Sequence, residues 1–499
     1  MQSNPGAAVG GHDVWDYPAL FLAGFLIALA QYFLLQEVTA LSSGTEVVVL
    51  LVTIAYFTGF SLGYKIAGKV SDRAVKRLTA LFFVMSLTFP FSLRIVAGAL
   101  AEILPGLALL ALLFLAAFVF VSYFSMLLPV YIDKRGGASL PNLYAVELCG
   151  TAFGFAAVFM VGAAPAWVMS IIYHLAFGLL AVAVLRQKVA AAMVAAMVAI
   201  SAFLAPYSDA ASLAYFYSRA KWLDVSQTMY SVYSPYQKVD IFKTEDGKRY
   251  LYLNGILFFG SGSLSLFNLF LTRLPVDAAK PKNVLVLGSG SMQYISYAAK
   301  HSEKVTTVEL DGAVLRGSME HFADLNMARD TPNWRYFVDD GKKFLAASNE
   351  KFDLIALDIP APFTIQTGLM YSEDFMRLAK EKLTPNGVFS ISLCGKIESG
   401  GLIANAVAAG VLNTFGDVII HTPDKSPYSF AIAGEKLPFT KEDVERLSAS
   451  YNAPSATYNK EQALAMIKDT KPMRWDNPSL PVKASFQQTK KKFVPRGSR

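Results

Sequence analysis

NVLVLGSGSMQYISYAAKHSEKVTTVELD, residues Asn283 to Asp311, holds the clearest structural signal in this 499-residue chain. Val284 to Leu287 is an unbroken apolar run, as in a parallel strand buried on both faces. A tight turn follows at Gly288-Ser289-Gly290. The spacing predicts a helix from about Met292 to His301 and a second strand over Val305–Leu310, ending in Glu309 and Asp311. Strand, turn, helix and strand make one unit of a nucleotide-binding α/β fold. The glycines let the backbone come close to a ligand, and a helix N-terminus offers it unpaired N–H groups. An acidic side chain about 20 residues on, at the tip of the second strand, is placed to accept from ribose hydroxyls, and Glu309 fills that place. Alone, such a turn is also compatible with a structural connection that binds nothing.

Composition divides the chain. Hydrophobic residues make up 54% and charged residues 17%, values that suit a protein part membrane and part soluble. Two cysteines, Cys149 and Cys394, lie far apart and give neither zinc spacing nor a disulfide framework. The five histidines, His12, His174, His301, His321 and His421, show no metal spacing, so no metal site is expected. The net charge of +7 is assigned to membrane-flanking lysine and arginine rather than to a nucleic-acid patch.

Residues 1–14 are small and polar, as in a disordered N-terminus. From 15 to 206 the chain is a series of apolar segments, at roughly 15–35, 46–64, 78–103, 106–132, 142–163, 165–185 and 189–206. Each is near the ~20 residues that cross a bilayer core, giving about seven transmembrane helices. Trp15, Tyr17, Tyr64, Tyr131 and Trp167 sit at segment edges, where aromatic belts form. Basic residues follow the second, fourth and sixth segments, which puts the N-terminus inside an inner (cell) membrane. Seven crossings would then place the C-terminal half outside, against the cytoplasmic location expected of an enzyme that uses a nucleotide-like co-substrate. The short, alanine-rich segment 189–206 is the natural candidate for not spanning. Arg94 and Glu147 fall inside apolar segments and Gln36 and Glu37 at an end; an Arg94–Glu147 structural pair, or snorkelling to the surface, is one reading, a functional ion the other.

Residues 207–231, rich in Tyr, Ser and Ala, read as a linker. A small β region, 232–275, follows, with a hairpin around Asp246-Gly247 and a further turn at Asn254-Gly255. Residues 276–435 form the α/β domain, and 436–493 a C-terminal appendage with a helix pair between Phe439 and Lys471, Glu442 and Arg446 at i,i+4 spacing. Lys490–Lys492 read as solvated or as touching anionic headgroups. Residues 494–499, opening Val494-Pro-Arg-Gly, have the form of a protease-site remnant and are set aside. The fold class is thus a multi-pass helical membrane domain, then a small β region and a methyltransferase-like, Rossmann-type α/β domain.

The order of motifs is more specific than any one of them. Tyr236-Gln237 and Leu253-Asn254-Gly255 precede the glycine turn. Val308–Asp311, Asp339-Asp340-Gly341, Phe352–Asp358, Leu369–Phe375 and Leu383–Phe389 follow it. Over about residues 225–435 this order resembles the spermidine synthase (aminopropyltransferase) family, some bacterial members of which carry an N-terminal membrane region. The resemblance implies S-adenosylmethionine or its decarboxylated form as co-substrate. Gln237 would touch its nucleoside thioether, Gly288 and Gly290 would form the turn beneath it, and Glu309 would hold the ribose. Asp340 would accept from the adenine amine, and Asp358 would face the reacting centre. Gln293 stands where a dinucleotide motif wants its third glycine, which counts against NAD and FAD but not against a sulfonium nucleoside without a pyrophosphate.

The departures bear on the acceptor. Where the family's turn carries an aspartate that grips the donor's amine, this chain has Ser291, and where a second aspartate serves as base it has Ala361, in Asp358-Ile-Pro-Ala-Pro362. Amine attack needs a free lone pair, so losing that base argues against ordinary spermidine synthesis. The remaining acid–base candidates are Tyr236, Asp339, Asp358, Tyr371 and Glu373. Three readings stay open: a membrane-anchored alkyl transferase, aminopropyl-like, with a small or lipid-like acceptor admitted by Leu264–Phe267; methyl transfer, or elimination or cyclisation of the donor; and a non-catalytic sensor regulating the membrane half. The expected partners are the lipid bilayer and such an acceptor, with no nucleic acid and a homodimer allowed.

Overall fold

The computed structural model describes residues 15–42, 44, 46–101, 103, 106–134, 140–161, 164–261, 266–326, 331–397, 401–468 and 470–492. The N-terminal 1–14, the first two residues of Leu264–Phe267 and the terminal 494–499 therefore lie outside the described residues, as do the side chains of Lys490–Lys492. The chain divides into two compact units, one within 1–42 and 48–238, the other within 43–47 and 239–494.

The first unit is helical: α1 (Asp16–Ser42), α2 (Glu46–Ala67), α3 (Asp72–Ser86), α4 (Phe91–Leu100), α5 (Gly106–Lys134), α6 (Leu140–Val161), α7 (Ala166–Leu185) and α8 (Lys188–Lys221). Strand β1 (Val225–Tyr233) follows. Six of these helices are long and apolar enough to cross a membrane, seven if α3 and α4, bent by 72°, count as one span. The bend falls at Pro90, whose missing N–H and ring interrupt the helical ladder. Two readings from sequence change here. The segment 189–206 is not a short outlier but the start of α8, the longest helix at 34 residues. The expected linker 207–231 is mostly the end of α8 and then β1, because its alanines and aromatics continue the helix to Lys221.

Small residues set the helix packing. Gly59 and Gly63, spaced G-x-x-x-G on α2, lie so close to α5 that a methyl on either would meet its backbone. Gly150 and Gly154 on α6 and Gly24 on α1 do the same between those two helices. Such close approach is how apolar helices gain contact where water supplies no driving force. Glu147 is buried beside this seam, with its Oε1 unpartnered among the described residues.

Arg94 does not pair with Glu147. Fully buried on α4, it lies 2.5 Å from a carboxylate oxygen of Glu37 on α1 and 2.5 Å from one of Asp209 on α8. The Ser212 and Tyr233 hydroxyls complete the shell, and Tyr233 also donates to Glu37. A buried guanidinium is tolerable only when paired on all sides.

The second unit opens with an antiparallel meander, β2 (Lys238–Thr244), β3 (Arg249–Leu253) and β4 (Ile256–Gly260). Asn254 and Gly255, both at positive φ (47° and 69°), make the tight turn expected between β3 and β4. A sheet follows with β5 (Asn283–Gly288), β6 (Lys304–Glu309), β7 (Trp334–Val338), β8 (Phe352–Asp358), β9 (Leu383–Ser392), β10 (Asp417–Pro423), β11 (Phe430–Gly434) and β12 (Ser455–Asn459). Its order is β12-β10-β11-β9-β8-β5-β6-β7, with β5 parallel to both β6 and β8 and β11 antiparallel to β9 and β10. Leu285, Leu287, Ile355 and Leu357 pack into one buried layer and Val284, Val286, Leu354 and Ala356 into the other. Both faces are covered, which is why these strands read as continuous apolar runs.

The appendage is less peripheral than its sequence suggests. Its helix pair is interrupted by β12, which pairs with β10 and extends the sheet, and Arg446 pairs with Asp443 rather than Glu442. Short polar edge strands such as Ser455–Asn459 carry little apolar alternation, so the pattern gives no warning of them.

Replacing Arg94 by methionine strands two carboxylates in the bundle. The expected loss is about 3–5 kcal/mol, read as a lowered unfolding midpoint in detergent. A variant within about 1 kcal/mol of the parent would show that the pair is solvated.

Candidate active site

The strand order reverses between β5 and β8, both of which start their neighbours from the middle of the sheet. Crevices at such a switch point, outside the carboxyl ends of the strands, are where open α/β sheets bind ligands. In the β5–β8 register Gly288 stands opposite Asp358. Gly288 has φ +89°, and a methyl there would collide with the Asp358 carbonyl. That carbonyl instead accepts the Ser289 N–H at 2.9 Å. The turn then runs through Ser289, Met292 and Tyr294, all at positive φ (72°, 54° and 63°). Left-handed backbone at non-glycine residues costs about 1–3 kcal/mol each and marks segments held in place by their surroundings. The helix consequently starts late, at Ile295–Lys300 instead of Met292, because Met292 and Tyr294 interrupt it.

Two carboxyls end the central strands. Asp358 is 2% exposed, and neither carboxyl oxygen has a well-formed hydrogen bond among the described residues. Burial pushes it up to about 7, and the nearby Asn268 amide only partly offsets this. Glu309, at the tip of β6, accepts the Asp311 N–H at 3.0 Å. Burial raises it to about 7 as well, with the charges of Asp311 and Asp358 adding to the effect. Around the turn lie further buried polar atoms, the Ser289 hydroxyl and the Gln293 Oε1, unpartnered among the described residues. The Asn268 amide reaches Ser291 Oγ at 3.3 Å. Buried polar groups are normally satisfied, so a cluster of open ones at the switch point fits a site shaped for a polar ligand. Two raised carboxyls there would ionise when a cation enters.

The other sequence candidates divide. Asp340 caps the helix Gly341–Ala347, its Oδ1 accepting from Lys342 N and Lys343 N at 2.8 and 3.0 Å. Asp339 accepts the Asp340 N–H and faces Lys343 at 3.4 Å. Tyr371 is buried and donates to the Ile359 carbonyl at 3.0 Å; burial and the neighbouring Cys394 hold its hydroxyl protonated. Glu373 sits in a helix first turn near Arg377, 3.9 Å away. Gly290 is boxed in by Val314 and Phe258. Tyr236, 48% exposed, and Gln237 belong to the first unit, in a turn whose N–H groups bond to Ser234 Oγ. His421, sandwiched by Phe270 and Phe430, is held neutral by burial, down to about 3. Among the described residues no His, Cys, Asp and Glu group could hold a metal ion. The sequence reading took Gln293 only as a missing glycine and gave Asn268 no role of its own. Position 268 lies outside the motifs, and only the folded chain brings its amide to the turn.

The raised carboxyls tie stability to pH. An acid whose pKa is near 4 unfolded and near 7 folded binds more protons in the folded state between those values. Folding therefore weakens as pH rises from about 4 to 7 and levels off above. Asp358→Asn removes that group's share. The variant should match the parent near pH 3, exceed it by about 1–2 kcal/mol at pH 5 and by about 3–4 kcal/mol at pH 8 in unfolding experiments. A constant difference across this range would place Asp358 in solvent.

Comparison with known proteins bears on the same stretch. Residues 268–399 match the spermine/spermidine synthase domain family. The polyamine aminopropyltransferase of Thermoplasma volcanium is 28% identical over 223 residues, 42% of this chain and 80% of that protein. That of Leptospira biflexa is 29% identical over 175 residues, 34% of this chain and 62% of that protein. A solved spermidine synthase from Thermotoga maritima aligns over 49% of this chain and 84% of its own at 20% identity, with a TM-score of 0.40. The C-terminal half of this chain carries a domain of the spermine/spermidine synthase family.

Proposed function

We propose that the chain is a membrane-integral transferase that moves an alkyl group, aminopropyl in type, from decarboxylated S-adenosylmethionine or S-adenosylmethionine to an acceptor other than a common polyamine. The observation that carries this reading is the buried, open carboxyl of Asp358 at the switch point. A sulfonium donor is a cation, and in a dry site a facing carboxylate stabilises it strongly. Glu309 would hold the ribose and Asp340 the adenine amine. The relatives named above are aminopropyltransferases, which favours a decarboxylated donor. The apolar helices support anchoring in a cell membrane.

The acceptor differs because the chain differs. Ala361 lies three residues beyond Asp358 and offers the site only its backbone, its carbonyl accepting from Phe363 N at 2.7 Å. No base stands there to take a proton from an attacking ammonium, so the nucleophile has to arrive unprotonated or to be a softer group than an amine. Such a site also suits breaking the donor without an acceptor, and product identity separates the cases.

Detergent-solubilised protein with either donor, with and without polyamines and lipid extract, should release methylthioadenosine when the extract is present and little when polyamine alone is added. Methylthioadenosine without any acceptor means elimination; S-adenosylhomocysteine means methyl transfer. Donor binding with neither product in any arm would make the domain a sensor. Ala361→Asp should raise polyamine-dependent release at least tenfold; no gain would show that the missing base does not set acceptor choice.

A further inference from the structure

We propose that the chain crosses the bilayer seven times and that everything after Lys221, the donor site included, lies outside the cytoplasm. This rests on the membrane reading above and adds to it a side.

The bent pair α3–α4 decides the count, since a re-entrant hairpin would give six crossings and a broken span seven. Its neighbours in the first unit mark its depth. Thr79 on α3 accepts from Tyr123, 11 residues before the end of α5. At the break, the Leu87 and Phe89 carbonyls meet Ser201 and His174, near the middles of α8 and α7. Beyond it, Arg94 reaches Asp209, and Gly98 packs on Tyr215 and Phe216, in the last third of α8. The pair thus advances steadily from one end of the bundle to the other instead of turning back. It is a broken span.

The two ends are chemically distinct. One carries the Asp16–Arg186 ion pair at 2.8 Å, joining the start of α1 to the end of α7. The other carries Arg94 with Glu37 and Asp209. Asp16 and Glu37 are 21 residues apart on one helix, and Lys188 and Asp209 are 21 apart on another. At 1.5 Å per residue each interval is about 31 Å, the thickness of a hydrocarbon core. Nine lysines and arginines, from Lys65 to Lys188, cluster in the sequence around the connections after α2, α5 and α7, three within those connections and six in the adjoining helix ends. The connections after α1, α4 and α6 hold none, so the basic residues near the other end are Arg219 and Lys221 in the last turn of α8, two against nine. Short basic loops stay in the cytoplasm, whereas a long following domain can be translocated regardless of its own charge. Helix α8 starts at the basic end and finishes at the other, so the chain emerges on the far side. The transfer then draws its donor and acceptor from the extracytoplasmic compartment.

The test uses the full chain in bacterial spheroplasts, with cysteines introduced at exposed positions and a membrane-impermeant maleimide mapped by mass spectrometry. Lys425→Cys, in the α/β unit, should label in intact spheroplasts, and Lys69→Cys, after α2, only once they are permeabilised. Alkaline phosphatase fused after the last residue should be active, and a green fluorescent protein fusion dark, which guards against a variant that fails to fold. Protection of Lys425→Cys until lysis, or labelling of both positions from one side, overturns the proposal. Release of the protein from membranes by alkaline carbonate removes the membrane reading itself, and the sidedness with it.

Discussion

The carbonyl of Asp358 accepting the Ser289 N–H across the β5–β8 register is the contact on which the α/β unit's chemistry depends. It forms because Gly288 alone can take φ +89° with no side chain between the two strand ends. Once they are locked together, the strained turn after Gly288 and the carboxyl of Asp358 have fixed places at the point where strand order reverses. Glu309, one strand further out and half-buried, adds a second acid whose ionisation its surroundings disfavour. A site that holds the Asp358 carboxyl open, with buried hydroxyl and amide atoms beside it, has polar capacity in reserve for a ligand.

The helical unit follows the same economy of charge with the opposite outcome. Its buried ion, Arg94, is saturated by two carboxylates and two hydroxyls and so serves to hold α1, α4, α8 and β1 in register. Glu147 is the exception in that unit, a buried carboxyl with an open oxygen beside the glycine seam of α1 and α6.

What the sequence disclosed follows from periodicity. The strands of the central sheet are buried on both faces, so Val284–Leu287 and Leu354–Leu357 announce themselves as apolar runs, and the residues that end them are legible as site residues. The Asn254-Gly255 turn and the apolar helices are equally plain, because positive φ demands particular residues and long apolar runs stand out in a sequence. Features set by tertiary contact were hidden. The helix after the glycine turn looked longer because nothing local shows that Met292 and Tyr294 adopt positive φ. Strand β12 is polar at an edge, α8 runs through a stretch that reads as linker, and the partner of Arg94 was mistaken because Glu37 and Asp209 lie 57 and 115 residues away. Asn268 enters the site only through the fold.

The most direct test of the electrostatic account is the number of protons released when the donor binds. Calorimetric titration of the full-length protein at pH 6.5, in two buffers of different ionisation enthalpy, measures it. If Asp358 and Glu309 are largely protonated in the empty site and ionise against a sulfonium, binding either S-adenosylmethionine or its decarboxylated form should release close to one proton or more, and Asp358→Asn should lower that number. Binding with no proton release, or with uptake, would contradict a pair of neutral carboxyls waiting for a cation.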